Sequence, residues 1–419
     1  MLTIFTLLGI TVDAVLCGGF FPDLSNLTPN INVKPTLPAL PNLNIFTRDC
    51  SKDYKDEFRR NLYVFSTNLY KRVAGVKENH FVLSQYSVWR ELSAFAENTE
   101  GEAQKELLEV LHLPEESCVR EKYYNAAKNL ERNGEDVTLA RKRVFASTRN
   151  QDSSWIDFAK RYELFDFAFI QGKNTEDALR EVTKAVDASW LKAEHVKDKK
   201  GLLVDKMDFT GQWYYGFNES ETKEEPFYDD SGKEIGRVNM MKINTKVKIA
   251  YLPVLNSKII ELPIGNDKRY RLVLLVPIGR TTVSDVIRLL PHTIIIDIFD
   301  NLMESAIALP VAIPRFEIKT EIDELRDLLK GLGIDKVWDD KSIDGVYQRS
   351  TLRLVEAGPR AVPAASPLPG LGIGQALRTG LAAAVGADFV ANRPFMFGLV
   401  DEDTRTCLLT GAYSKPSLI

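Results

Sequence analysis

The feature that most constrains this chain is the segment 359–391, which is rich in alanine, glycine and proline. It follows a strand-like run, Leu352 to Val355, and precedes a second β segment that ends at Gly411. The segment has neither the 3.6-residue period of a helix nor the alternation of a strand. Irregular segments of this length are uncommon inside compact domains and are usually functional or disordered. We therefore predict that this loop is the working part of the molecule and that the remaining chain is its scaffold.

Composition excludes several classes of protein. The formal net charge of −4 gives no field of the kind that nucleic-acid binding requires, so no nucleic-acid partner is expected. Outside the N-terminus there is no apolar stretch long enough to span a bilayer, so no membrane partner is expected. With 419 residues and 44% hydrophobic residues, the chain is able to bury a large core.

The N-terminus favours secretion. Residues 1–17 are largely apolar and end in small residues near Cys17, which is typical of a signal peptide cleaved there. The alternative is a buried apolar strand. Residues 18–50 contain repeated prolines and are interpreted as an extended leader, with a docking arm for a partner as the alternative. We therefore expect a secreted, extracellular glycoprotein with two candidate acceptors, Asn26 and Asn218.

Cysteine and histidine usage argues against an enzyme. Removal of Cys17 leaves Cys50, Cys118 and Cys407, which permits either one disulfide with one free thiol or no disulfide. The four histidines are scattered, and no zinc-binding, nucleophile-elbow or phosphate-loop spacing occurs. The glycine run 370–374 follows prolines rather than a buried strand, so it does not indicate a dinucleotide site. No enzymatic activity, cofactor or metal is expected.

Periodicity predicts several elements of the scaffold. Helical spacing of apolar residues occurs over 51–73 and 121–133, and a helix over 175–191 is predicted to begin at the N-cap Thr175 and to carry Trp190. Residues 137–147 are predicted to form a strand.

Short motifs along the chain point to one family. At the C-terminal end these are Glu356-Ala-Gly358 before the alanine-rich segment, Asn392-Arg-Pro-Phe395, and Leu409-Thr-Gly411. Upstream are Ser84 and Ser87 at the start of an apolar helix, and Phe209-Thr-Gly-Gln-Trp213. In this order and spacing they resemble the serpins, over roughly Ser51 to Pro416.

The resemblance implies an α+β serpin fold. The domain would cover 51–419, with a large central mixed β-sheet, a bundle of helices, further sheets and an exposed C-terminal reactive loop at about 356–391. In this family a protease cleaves the loop, which then inserts into the central sheet and carries the acylated protease with it. The implied partner is an extracellular serine protease, with a cysteine protease as the alternative, and the protein is expected to be a monomer. Heparin binding is not expected, because acidic residues offset the basic ones in helix 121–133.

The hinge departs from the inhibitory pattern. Glu356, Gly358 and the small residue Ala361 match it, but Pro359 stands where the family has Thr or Ser, followed by Arg360. Further prolines occur at 363, 367 and 369, with Pro363 the nearest to the hinge. Proline lacks the amide donor that a central strand requires. We therefore expect impaired covalent trapping; the alternative is a non-inhibitory serpin acting as a binding, carrier or structural extracellular protein.

The family spacing does not identify a single bond that a protease would cut, because counts from the two ends of the loop disagree. The family spacing counted from Glu356 gives Gly372, whereas counting back from Phe395 gives Ala383. Arg378-Thr379 lies between them and suits a trypsin-like protease, so it is the candidate scissile bond.

The resemblance also implies a polar cluster that governs opening of the central sheet. Its members here would be Ser84, Ser87, Asp205, Trp213 and Gln348. Asp205 replaces an asparagine and Gln348 replaces a histidine of the family pattern, and the tryptophan lies under the insertion point of the loop. Asp205 and Gln348 are chemically able to pair, but the sequence does not decide whether they meet.

Overall fold

The computed structural model describes residues 48–293, 298–299, 301–339, 343–358 and 388–419. Several predictions concern residues outside these ranges and are not addressed by the structure. They are the signal peptide, nearly all of the leader, and the individual residues Asn26, Pro359, Arg360, Ala361, Pro363, Gly372, Arg378, Thr379 and Ala383.

The described residues contain nine α-helices. In chain order they are α1 (Lys55–Val76), α2 (Gln85–Ala96), α3 (Gly101–Val110), α4 (Ser117–Lys128), α5 (Ser153–Arg161), α6 (Thr175–Val186), α7 (Ala193–Val196), α8 (Val283–Leu289) and α9 (Leu325–Lys330).

All three predicted helices have different ends from those expected. The helix predicted over 51–73 is α1, which begins at Lys55 and ends at Val76. The helix predicted over 121–133 is α4, which begins at Ser117 and ends at Lys128. The helix predicted over 175–191 is α6, which ends at Val186 because Asp187 adopts the left-handed conformation, so Trp190 lies beyond it. Its N-cap is Asn174 rather than Thr175, since the Asn174 side chain accepts a hydrogen bond from the amide of Asp177.

Sixteen strands occur in the described part of the chain. They are β1 (Phe81–Leu83), β2 (Val137–Ser147), β3 (Asp166–Phe169), β4 (Gly201–Gly211), β5 (Lys223–Tyr228), β6 (Glu234–Thr245), β7 (Lys248–Leu252), β8 (Ser257–Ile264), β9 (Tyr270–Pro277), β10 (Met303–Glu304), β11 (Leu309–Pro314), β12 (Phe316–Ile322), β13 (Gly345–Leu354), β14 (Phe389–Val390), β15 (Phe395–Asp401) and β16 (Thr406–Tyr413). The predicted strand 137–147 is confirmed as β2.

The strands form three sheets. A seven-stranded antiparallel sheet has the order β1-β16-β15-β9-β8-β7-β10, and a four-stranded sheet has the order β14-β11-β6-β5. The third sheet has the order β12-β13-β4-β2-β3 and is mixed, because β13 is parallel to β4 and β2 is parallel to β3. Helices together with a mixed sheet and two further sheets confirm the predicted α+β class.

The mixed sheet separates two apolar layers. Along β4, alternate side chains point to opposite faces, as the pleat of a strand requires. Leu203 and Met207 face the main core, which includes α1 and α2, whereas Leu202 and Val204 face a smaller layer under α6. Every residue of α2 is buried, and Ser84 caps this helix by accepting a hydrogen bond from the Ser87 amide at 3.1 Å. The serine pair noticed in the sequence therefore starts the central helix.

A disulfide joins Cys50 to Cys118 at the start of α4, with a Cα–Cα distance of 5.8 Å. Cys407 on β16 is a free thiol, so the first of the two cysteine arrangements left open by the sequence is the one found. Among the described helices, none combines the length and apolar character needed to cross a membrane.

We expect the Cys50→Ser/Cys118→Ser double variant to have a free energy of unfolding lower by about 2–4 kcal/mol, because the bridge closes a long loop in the unfolded chain. Urea denaturation at pH 7 measures this, with Cys407→Ser as the control for loss of a thiol outside the bridge. Equal stability of the double variant and the parent would contradict the expectation.

Candidate functional site

The central feature of the mixed sheet is the pairing of β4 with β13, which we call the seam. Nine consecutive residues of β13, from Gly345 to Arg353, lie opposite Leu202 to Thr210 of β4 in parallel register. No strand lies between them, so the sheet is closed. A segment that enters the sheet here must first separate these two strands.

On the inner face of the sheet, the seam is crossed by a buried side-chain hydrogen bond. Gln348 of β13 donates from Nε2 to Oδ2 of Asp205 on β4 at 2.7 Å, and both residues are almost fully buried. Gln348 also donates to the Ser84 carbonyl at 3.0 Å and accepts from the Ser84 amide at 2.9 Å. Gln348 therefore links β13 to the N-terminus of α2 on one side and to β4 on the other.

Asp205 is also the middle of a row across three strands. Register places Arg143 of β2 opposite Asp205 on one side and Gln348 on the other. The Arg143 guanidinium lies 3.4 Å from Asp205 and donates to the Ser87 hydroxyl. Four of the five predicted cluster residues, Ser84, Ser87, Asp205 and Gln348, therefore meet beneath the seam.

Trp213, the fifth predicted residue of this cluster, lies apart from the other four. Trp213 lies beyond the end of β4, eight residues after Asp205, which corresponds to more than 20 Å along an extended chain. Its indole Nε1 donates to the Val355 carbonyl at 2.6 Å. It therefore supports the start of the loop.

Sequence reasoning missed the charges that surround the cluster. Arg143 forms an ion pair with Glu131, and Arg90 of α2 binds the same carboxylate at 2.6 Å. Glu91 of α2 is buried, and neither of its carboxyl oxygens accepts a hydrogen bond from a described residue. The sequence did contain a pattern that predicts these buried charges. Alternation along β2 places Arg141 and Arg143 on the same, inner face as the apolar residues Leu139 and Phe145.

Burial perturbs the carboxyl groups near the seam. Burial is the largest cause of a rise in the pKa of Asp205 from 3.8 to about 6, and the Arg143 charge opposes that rise. Burial and the neighbouring charge of Asp205 raise the pKa of Glu91 well above its usual range. An ionised Asp205 in the closed sheet is therefore less stable than the same group in water.

The outer face of the seam carries like charges. One residue after the inner row, Arg349 of β13 lies opposite Lys206 of β4, and Lys206 lies opposite Lys142 of β2. Lys206 is neutralised in part by Asp187 at the end of α6, at 3.0 Å, and by Asp208 of β4, at 3.4 Å. Like charges opposite one another on neighbouring strands are destabilising, so this row opposes closure.

The root of the loop, residues 355–358, is held against the segment 213–217. The Trp213 amide donates to the Ala357 carbonyl and the Phe217 amide donates to the Glu356 carbonyl, each at 2.9 Å. Together with the indole bond to Val355, three consecutive carbonyls of the root are engaged. The root therefore lies outside the seam in this structure.

The Glu356 side chain anchors the root through an ion pair that we call the latch. Its carboxylate accepts from Arg315 Nε at 2.9 Å and from the Thr222 hydroxyl at 2.7 Å. Burial by itself raises the pKa of Glu356, but the bonds from Arg315 and Thr222 outweigh it, and the pKa is lowered from its usual value. Arg315 also donates to the Ile419 carbonyl, which connects the latch to the last residue of the sequence.

Gly358 fits its surroundings only because it lacks a side chain. Its backbone touches Gly216, and a Cβ on Gly216 would lie 2.7 Å from the Gly358 carbonyl oxygen. Such contacts require adjustment of the backbone on one side or the other. The predicted hinge residues Glu356 and Gly358 are therefore both fixed by specific contacts, one electrostatic and one steric.

The remaining predicted residue in the described ranges is Asn218. It is exposed in the loop between β4 and β5, directly after Phe217. No group of three or more metal-ligating side chains is found in the described ranges.

We expect Asp205→Asn to raise the free energy of unfolding at pH 7 by about 1–3 kcal/mol, because it removes a buried charge and keeps an acceptor for Gln348. The folded protein binds the Asp205 proton more tightly than the unfolded chain, so wild-type stability decreases as pH rises from 3.8 to about 6. In Asp205→Asn, residue 205 does not titrate, so this decrease in stability with rising pH should be absent. Denaturant titrations between pH 4 and 7 provide the measurement.

The control for this variant is Asp208→Asn, on the opposite face of the same strand, where the carboxylate pairs with Lys206 at 3.4 Å. It should give no increase in stability. A loss of stability in Asp205→Asn at pH 7 would mean that the ion pair with Arg143 outweighs the burial of the charge.

We expect Arg315→Ala to lower the free energy of unfolding by about 1–3 kcal/mol at pH 7, because it leaves the Glu356 carboxylate buried with Thr222 as its side-chain donor. A lowered pKa in the folded state stabilises the fold above the unfolded pKa, and that stabilisation is lost as pH falls. The difference between variant and parent should therefore shrink in acid. Denaturation at pH 7 and below pH 4 measures both effects.

Arg353→Ala is the matched control for the latch, because Arg353 forms an ion pair with Glu317 in which both side chains are about half exposed. It should change stability by less than about 1 kcal/mol. If the two variants behave alike, Glu356 is not anchored by Arg315.

Comparisons with known proteins identify the family and the fold. Curated relatives include Serpin B5 of Xenopus laevis, 27% identical over 52% of this chain and 57% of that protein, and Antitrypsin of Bombyx mori, 24% identical over 70% and 76%. This chain spans less than two thirds of the length of the two Serpin B5 relatives. The crystal structure of Serpin48 from Tenebrio molitor has a TM-score of 0.68 and 20% identity, covering 85% of this chain and 98% of that one. The family profile described as "Serpin (serine protease inhibitor)" matches residues 60–416, and the chain therefore belongs to the serpin family.

Proposed function

We propose that this serpin is a secreted, extracellular protein that presents the loop at about 356–391 to a serine protease, with Arg378-Thr379 as the bond that is cut. We further propose that its loop prolines impair covalent trapping. The observation that supports a protease-facing loop is the closed seam, with the loop root anchored outside it by Glu356. The root lies against the segment 213–217 while β13 pairs directly with β4, and we infer that the loop beyond Gly358 is presented to a protease rather than inserted there.

The second part follows from what insertion requires. A strand entering between β4 and β13 must donate and accept ladder hydrogen bonds on both sides. Pro359, directly after Gly358, has no amide proton, and neither does Pro363. Each missing bond in a buried ladder costs about 1–3 kcal/mol. The first of these losses occurs at the earliest step, when the root leaves Phe217 and Trp213.

The proposed protease is trypsin-like. Arg378 supplies the basic residue that such proteases cut after, and one relative carries the name Antitrypsin. The loop also contains about eleven more residues than the family spacing, as the counts ending at Gly372 and Ala383 show. Extra length on the cleaved strand leaves slack between the inserted loop and the protease. We expect this slack to weaken covalent trapping, as the prolines do.

We expect incubation with trypsin-like proteases to cleave the loop, to give little denaturant-resistant complex, and to raise the melting temperature little after cleavage. The Pro359→Thr/Pro363→Ala variant should form more complex and show a larger rise in melting temperature. Denaturing electrophoresis and thermal unfolding are the measurements. Pro369→Ala, farther from the hinge, is the matched control and should restore less.

Near-complete conversion of the wild-type protein into a denaturant-resistant complex would overturn the proposed impairment. Failure of every protease to cleave the loop would overturn the protease-facing role.

A second candidate function is that of a non-inhibitory binding or carrier protein. It is favoured by an apolar cavity of about 130 Å³ between α1 and the seven-stranded sheet. The lining includes Leu62 and Tyr63 of α1, Val273 and Leu275 of β9, and Cys407, whose pKa burial raises to about 12. A neutral thiol and apolar walls suit an apolar ligand. Absence of both cleavage and complex in the experiment above is the outcome that favours this alternative.

A further inference from the structure

We propose that Asn218 carries an N-linked glycan and that this glycan lies at the surface beside the loop hinge. The inference rests on the secretion part of the proposed function, because the modification takes place in the secretory pathway. It does not depend on whether the protein traps a protease.

The local geometry suits the modification. Asn218, Glu219 and Ser220 form an Asn-x-Ser sequence without proline at the middle position, and all three residues are exposed. The Asn218 Oδ1 accepts hydrogen bonds from the Ser220 hydroxyl at 2.9 Å and the Ser220 amide at 3.1 Å. These bonds orient the amide with its oxygen toward Ser220. The Nδ2 atom makes a single contact among the described residues, with Glu221 at 3.4 Å, so it is available for a sugar.

The segment that carries Asn218 is attached to the hinge at both ends. On one side, the Phe217 amide donates to the Glu356 carbonyl at 2.9 Å. On the other, the Thr222 hydroxyl donates to the Glu356 carboxylate at 2.7 Å. The Asn218 side chain takes part in neither bond. A glycan at Nδ2 is therefore compatible with an intact latch, although it is attached only one residue from a hinge contact.

The chemistry is a group transfer. The Asn218 Nδ2 forms a bond to C1 of the first sugar of an oligosaccharide donor linked to a lipid diphosphate. The bond between that C1 and the diphosphate oxygen breaks, the amide nitrogen loses one proton, and the lipid diphosphate leaves with the electron pair.

A glycan here has a mechanical consequence for the hinge. A hydrated oligosaccharide cannot enter the protein interior without losing its hydrogen bonds to water. The exposed residues 218–221 must therefore stay at the surface when the loop root moves. The two bonds to Glu356 then break, rather than moving with the root into the sheet.

The experiment is mass spectrometry of the peptide containing residue 218, after the full-length chain is expressed in a eukaryotic secretory host. We expect a glycan mass on this peptide and conversion of Asn218 to aspartate on treatment with peptide N-glycosidase. Asn218→Gln and Ser220→Ala should both abolish the modification. Ser220→Thr keeps a hydroxyl at the required position and should restore it, which separates loss of the acceptor from misfolding.

Three outcomes are distinguishable. Secreted chain with unmodified Asn218 overturns this inference and leaves the proposed secretion in place. Unmodified chain retained in the cytosol overturns both. A glycan at Asn218 on a protein that forms no complex with any protease supports the inference, while the proposed inhibitory role fails.

Discussion

The rest of the structure depends on the direct pairing of β4 with β13, because this pairing keeps the mixed sheet closed while the loop root, residues 355–358, lies against the segment 213–217. Charged side chains at adjacent positions along the strands destabilise this pairing on both faces of the sheet. On the inner face, the Asp205 carboxylate is buried, and its pKa is raised. On the outer face, Arg349 and Lys206 are opposite one another. The backbone ladder and the Gln348–Asp205 bond thus hold together two strands whose charges favour separation.

The seam and the latch are separate sets of contacts, one within the mixed sheet and one just beyond the end of β13. The seam is governed by contacts of Ser84, Arg143, Asp205 and Gln348, in the middle of the strands. The latch is governed by Arg315, Thr222 and Glu356, at the end of β13. Insertion of the loop requires both to be released. Because no residue is shared between them, substitutions in one should leave the other intact.

The sequence predicted elements better than it predicted contacts. Strand 137–147 and the helix capped by Ser84 follow from local patterns, and the motifs between Ser84 and Gly411 indicated the family. The row Arg143–Asp205–Gln348 could not be found in this way, because it depends on the register of three strands that are far apart in the chain. Arg315 and Glu356 are 41 residues apart and meet through the pairing of β12 with β13. The end of α6 was misplaced because the left-handed turn at Asp187 has no glycine to mark it.

The contact between Gly216 and Gly358 has a consequence for natural variation in this protein. Neither position has room for a methyl group, yet one lies in a surface turn and the other at the start of the loop. A variant at Gly216 would be classified as a remote surface change by its place in the sequence. In physical terms it should act as a substitution in the hinge itself, because an added carbon on Gly216 displaces the backbone of Gly358 at the start of the loop.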